Sequence, residues 1–130
     1  MKAAGDGPFV GNFSGSEVFD NAGTLRRDGT GIVRFDNVNF HNAAGGIIDV
    51  VSGTLQINAP GAMDGGVFNV SNSATLQLAG INQTWTGNFS GSGAGVVLFN
   101  NGTITPTNAT LNFPAGQFQW GDGGYFANAR

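Results

Sequence analysis

The sequence predicts an all-β fold, a right-handed parallel β-helix (β-solenoid) of about five coils. Three observations carry that expectation. A phrase of one short apolar strand, a small polar turn and a second strand opening on Thr-Leu or Thr-Ile recurs with variations along the chain. Gly, Asn, Thr and Ser supply 55 of the 130 residues, 23 of them Gly, a composition that favours turns over helices. The apolar residues, 11 Phe among them, come in short runs of alternating parity rather than at helical spacing.

The elements follow in order. Glu17 to Leu25 (EVFDNAGTL) is a loose first copy with Asp20-Asn21-Ala22-Gly23 as its corner. Successive side chains of a strand point to opposite faces, so Val33 and Phe35 form an inward pair with Arg34 facing out. Gly46 to Ile57 (GIIDVVSGTLQI) places Ile48 and Val50 inward, turns, and sends Leu55 and Ile57 inward again. Gly66 to Leu78 (GVFNVSNSATLQL) repeats the pattern with Phe68, Val70, Leu76 and Leu78. Gly95 to Ile104 (GVVLFNNGTI) does so with Val97 and Phe99, a corner at Asn100-Asn101-Gly102, and Ile104. Leu111 and Phe113 supply a last inward pair. The corner residues accept left-handed or bridging backbone angles at little cost.

No single copy can bury its own apolar face, so neighbouring copies are expected to stack. In-register stacking at about 4.8 Å per coil aligns the outward Thr54, Thr75 and Thr110 in one column, and Gln56, Gln77 and Asn112 in another whose amides bond along the stack. Leu25, Leu55, Leu76 and Ile104 are taken as equivalent corner positions, 30, 21 and 28 residues apart. The hexapeptide Gly-Asn-Phe-Ser-Gly-Ser, at Gly11 to Ser16 and again at Gly87 to Ser92, is a second repeat. Two residues break the pattern. Arg27 stands where other copies place Ile57, Leu78 or Phe113, which predicts an incomplete first coil, and Pro106 predicts an edge or loop around Thr105 to Thr107.

Charged residues are 10% of the chain, the formal net charge is -3 and the pI is about 4.6. With one Lys, and Arg26-Arg27 as the one adjacent basic pair, the chain lacks the clustered cations that nucleic acid demands. It has no cysteine, hence no disulfide, thiolate nucleophile or Cys-based metal site. No stretch approaches the roughly 18 apolar residues of a membrane helix, and the first six residues lack the apolar segment of a signal peptide. By length, residues 1–130 form a single β-solenoid domain, read as a segment of a longer repeat protein.

AGTL at Ala22 to Leu25, SGTLQI at Ser52 to Ile57, SATLQLAG at Ser73 to Gly80 and GNFSGSGAG at Gly87 to Gly95 give the chain a family likeness. Across roughly residues 11 to 113 it resembles the autotransporter-associated β-strand repeats of bacterial surface proteins. The resemblance implies a pectin-lyase-like right-handed β-helix in an exported passenger or adhesin-like region.

The residue types suited to catalysis are Asp20, Asp28, Asp36 and Asp49 with Arg26, Arg27 and Arg34 nearby, since β-helical polysaccharide lyases and hydrolases use carboxylates and a basic group. No spacing fixes two of these carboxylates at a defined separation, and Asp20, Asp28 and Asp36 lie in expected corners, so no catalytic, cofactor or metal residue is assigned. His41, the single histidine, reads as a solvent-facing loop residue without a companion. The Gly-Gly-x-Gly-x-Asp pattern of calcium-binding repeats is missing, and one Thr per coil beside Gln or Asn falls short of the paired Thr ranks of an ice-binding face. Six Asn-x-Ser/Thr sequons, at Asn12, Asn69, Asn82, Asn88, Asn101 and Asn108, follow from composition. Trp85, Trp120 and Tyr125 are the candidate glycan contacts, flat aromatic faces being suited to sugar rings. The competing reading makes Trp120 and Phe126 caps on the open end of the core.

The expected function is a non-enzymatic structural or adhesin-like module of a bacterial surface or secreted protein. The alternatives are a fragment of a polysaccharide-active enzyme and a glycan-binding module. The expected partners are neighbouring coils of the parent chain or a second copy joined end to end, because Met1 to Pro8 offers no evident cap, with a glycan or host surface beyond them.

Overall fold

In the computed structural model, strands of mostly four or five residues wind into a right-handed parallel β-helix of about five coils with three faces. The structure describes residues 2–3, 7–10, 18–36, 38–79, 81–121 and 124–126, with the backbone alone for 2–3, 7–10, 81 and 124–126. The described residues contain no helix, hence none long and apolar enough to cross a membrane.

Two strands lead in, β1 (Lys2–Ala3) and β2 (Gly7–Val10). The first complete coil is β3 (Val18–Asn21), β4 (Thr24–Arg27) and β5 (Ile32–Asp36). The second is β6 (Asn39–Asn42), β7 (Ile47–Val50) and β8 (Thr54–Asn58), and the third is β9 (Pro60–Met63), β10 (Gly66–Val70) and β11 (Thr75–Leu78). In the fourth, the long β12 (Ile81–Ser92) covers two faces before β13 (Val96–Phe99). In the fifth, β14 (Gly102–Asn112) does the same before β15 (Phe118–Trp120), and β16 (Gly124–Phe126) follows. Among the described residues every strand pairing is parallel. Because β12 and β14 bend without a break, the first two faces merge, among the described residues, into one ten-stranded sheet, and the third is a separate six-stranded sheet. At the bend the register shifts, Thr107 and Asn108 of β14 opposing Thr86 of β12, so the bulge lies in β14, where Asn108 takes φ +53°, beside Gly87 of β12 at φ +80°.

The register defines the true repeat. Val33, Leu55, Leu76, Val97 and Phe118 form one column of the third face, spaced by 21 or 22 residues. The expectation that Leu25, Leu55, Leu76 and Ile104 are equivalent is therefore corrected. Leu25 pairs with Ile48 on the second face, and Ile104 with Gln83 on the first. A three-sided coil sets the same demand at each corner, a short apolar strand, small turn residues and a resumed strand, so the phrase recurs at all three.

The inward parity holds throughout the middle coils. Val33, Phe35, Ile48, Val50, Leu55, Ile57, Phe68, Val70, Leu76, Leu78, Val97 and Phe99 are all buried. Leu111 keeps its inward register over Phe89 but is 40% exposed, because on that face no described strand lies beyond β14. Pro106 is in β14 rather than a loop, paired with Trp85 on one side, while on the other the described pairing with β16 covers Gly102 to Ile104, so among the described residues Pro106 has a strand neighbour on one side. Besides the Phe99–Trp120 stack, the rings gather in two groups. Phe19, Phe35 and Phe40 have centroids 4.8 to 5.5 Å apart in the first two coils, and Phe68, Trp85, Phe89, Phe113 and Phe118 form the second group toward the other end.

Arg27 corrects the expectation of an incomplete first coil. It points inward in register with Val50, fully buried, and its guanidinium donates to the carbonyls of Asp28 at 2.6 Å, Thr30 at 2.6 Å, Gly31 at 3.0 Å and Thr54 at 3.2 Å. The planar fork fills the corner and gives its carbonyls a donor, that of Gly31 accepting in addition the Thr54 N–H at 2.9 Å. At another corner Asn21 donates to Asn42 Oδ1 at 2.8 Å and to the Ile47 carbonyl at 2.9 Å, while Asn42 donates to the carbonyls of Gly46 and Gly65.

Candidate functional site

The outward polar side chains bond chiefly along the stack. Register places His41 of β6 beside Asp20 of β3, and Asp64, just beyond β9, completes a line on the first face. The His41 Nδ1 lies 2.8 Å from Asp20 Oδ1 and its Nε2 lies 2.8 Å from Asp64 Oδ2. Thr86 of β12 extends the line by donating to Asp64 Oδ1 at 3.2 Å. Four consecutive coils thus contribute one polar group each. With a carboxylate oxygen at each ring nitrogen, the arrangement favours the imidazolium, in which both nitrogens are donors. The hydrogen bond to Asp64 is the largest influence raising the His41 pKa above 6.5, with Asp20 adding to it and partial burial opposing it. The same hydrogen bond is the largest influence lowering the Asp64 pKa below 3.8, helped by Thr86.

This line corrects the reading of His41 as an isolated loop residue. The partners lie 21 and 23 residues away, about one coil in each direction, so only knowledge of the coil length brings them together.

Other polar ladders share the geometry. Gln56 donates to Gln77 at 3.3 Å, as expected for the amide column on the third face, and Gln77 to Asn100 at 3.5 Å, a residue expected as a corner. Asn58 donates to Asp36 at 3.0 Å and Ser92 to Asn69 at 2.7 Å. Thr54 stacks on Thr75, but Thr110 and Asn112 belong to the second face, in register with Asn88 and Ser90, so the two expected columns stop short of them.

The carboxylates suited to catalysis are dispersed. Asp20 faces His41 on the first face, Asp49 pairs with Arg26 at 3.6 Å on the second, and Asp36 pairs with Arg34 at 3.2 Å on the third. Asp28, at the corner before the third face, accepts from Ser52 at 3.4 Å. Among the described residues no three or more His, Cys, Asp or Glu side chains converge in a way that suits a metal ion.

Trp85 is fully buried, stacked on Phe89 at 4.5 Å, with its Nε1–H donating to Gln83 Oε1 at 3.0 Å, so it offers no ring face to a sugar. Trp120 is 57% exposed. It continues the inward column over Phe99, and its ring stacks on that residue at 6.4 Å. The side chains of Tyr125 and Phe126 and the first copy of the hexapeptide lie outside the described residues, and the second copy is the latter half of β12. Family models, curated proteins and solved structures yield no match to this chain.

Proposed function

We propose that this chain is a non-enzymatic β-solenoid module that serves as a rigid stalk, scaffold or adhesin-like segment of a bacterial surface or secreted protein, outside the cell. The observation that carries the reading is the direction of its polar bonding. Asp20, His41, Asp64 and Thr86, like Gln56, Gln77 and Asn100, spend their hydrogen bonds on the coils before and after. Groups arranged this way stiffen a stack, whereas a hydrolase or lyase needs its acid and base to converge on one substrate atom.

Two measurements test it. The protein releases no product from polyuronates, glucans or chitin, with or without calcium; release abolished by Asp36→Asn or Asp49→Asn would overturn the non-enzymatic reading. An antibody to the folded domain labels intact cells of the source organism or captures antigen from its medium. Labelling confined to permeabilised cells overturns the surface assignment. A glycan-binding module is the second reading, favoured by the exposed ring of Trp120. Retention on a glycan array that Trp120→Ala removes, with unchanged folding, would select it.

A further inference from the structure

We propose that the Asp20–His41–Asp64 line is a pH-operated clasp across the first three coils, closed while the imidazole is protonated and opened at Asp20 when it becomes neutral. The geometry supplies the mechanism. Closed, the ring donates from both nitrogens to carboxylates of the coils on either side, at 2.8 Å each. A neutral imidazole keeps one N–H and turns a lone pair toward the other carboxylate, and at that separation a lone pair facing an anion repels. Asp64 retains the proton-bearing nitrogen because Thr86 holds its carboxylate in place and its side chain is the less exposed of the two, 47% against 59% for Asp20. The tie that fails is therefore the one to Asp20. Asp20 lies on β3, which among the described strands is the edge of the first face, so the released strand has a single described neighbour, β6.

The groups facing the imidazole are Asp20 from the side of β3 and Asp64 from the side of β9, and among the described residues these carry the charges that act on it. The raised His41 value means that its stabilisation is complete below 6.5 and is lost as pH rises through the folded value. The lowered Asp64 value means that its stabilisation is complete above 3.8 and is lost as pH falls through the folded value. The clasp is thus closed at mildly acid pH and opens as pH rises through the raised His41 value.

Residue-resolved amide hydrogen exchange by NMR, corrected for the intrinsic effect of pH, tests the proposal, and the single histidine makes the imidazole titration unambiguous. Protection of the Val18–Asn21 amides is expected to fall roughly two- to five-fold between about pH 5.5 and about pH 8.5, as suits an exposed ion pair. The fall follows the imidazole resonances, and the Thr75–Leu78 amides stay unchanged. Asp20→Asn and His41→Gln each remove the pH dependence at β3. An imidazole midpoint at or below 6.5, a change spread evenly over all coils, or a β3 response that persists in Asp20→Asn overturns the clasp. Constant protection of β3 across the wild-type titration overturns it without either variant.

Discussion

Arg27 and Gly53 meet at one corner of adjacent coils, where a Cβ on Gly53 would lie 2.8 Å from the Arg27 Nη2. Gly53 also has φ +68°, so the position is closed to a side chain by space and by backbone. The glycine makes room for the buried cation, and the cation closes the corner.

Arg27→Met is expected to lower unfolding free energy by about 3 kcal/mol, since the carbonyls of Asp28, Thr30, Gly31 and Thr54 each lose a donor. Arg27→Lys does not restore it, because an ammonium cannot reproduce the planar fork. Gly53→Ala is destabilising, whereas Gly23→Ala, with nothing within 4 Å of the added carbon, is close to neutral. Urea melts of the four variants check the set; equal stability of Gly53→Ala and Gly23→Ala would refute the corner packing.

Leu55→Asp and Leu76→Asp place an unpaired charge in the buried column of the third face and cost several kcal/mol, about enough to abolish cooperative folding. Thr54→Ala and Gln77→Ala, on the outer side of the same strands, cost about 1 kcal/mol or less. Thermal melts of the inward and outward pairs separate the two outcomes, and similar losses in both would invalidate the parity.

Strand parity and the Gln56–Gln77 contact were legible in the sequence because alternation is local: Leu55 and Ile57 differ from Thr54 and Gln56 in kind. The phase of the coils was not. Leu25, Leu55 and Ile104 follow the same kind of turn yet occupy three different faces, since the turn chemistry of one corner does not distinguish it from the next. Arg27 was visible as a break in the pattern, but its meaning depends on carbonyls that only the folded corner gathers. His41 was invisible as a site, because its carboxylates lie about a coil away on either side and register alone makes them neighbours.

Asn42→Asp is expected to cost more than Asn42→Ala. The alanine takes one donor from the carbonyls of Gly65 and Gly46, the latter keeping the Val67 N–H at 3.0 Å, at about 2 kcal/mol, while the aspartate turns a buried charge toward them. A double-mutant cycle with Asn21→Ala measures the pair directly; a coupling near zero would show that the 2.8 Å bond between the two amides contributes nothing.

Asp64→Asn lowers the midpoint of the His41 titration more than Asp20→Asn does, because the bond to Asp64 is the larger of the two influences that raise it. The imidazole resonances of the two variants, followed by NMR, decide the order. A larger drop in Asp20→Asn reverses the assignment of which tie holds and which releases.

The placing of both tryptophans toward one end of the stack has an optical consequence. Both tryptophans belong to the later coils, Trp85 sealed among rings and Trp120 open to water, while the first two coils carry phenylalanine alone. Tryptophan emission therefore watches one end of the molecule, with a short-wavelength band from the sealed indole over a long-wavelength band from the open one. Unravelling that starts at the first coil diminishes the far-ultraviolet β signal before the emission changes colour, and unravelling from the last coil reverses that order. The chain's own chromophores thus reveal the direction in which the stack comes apart.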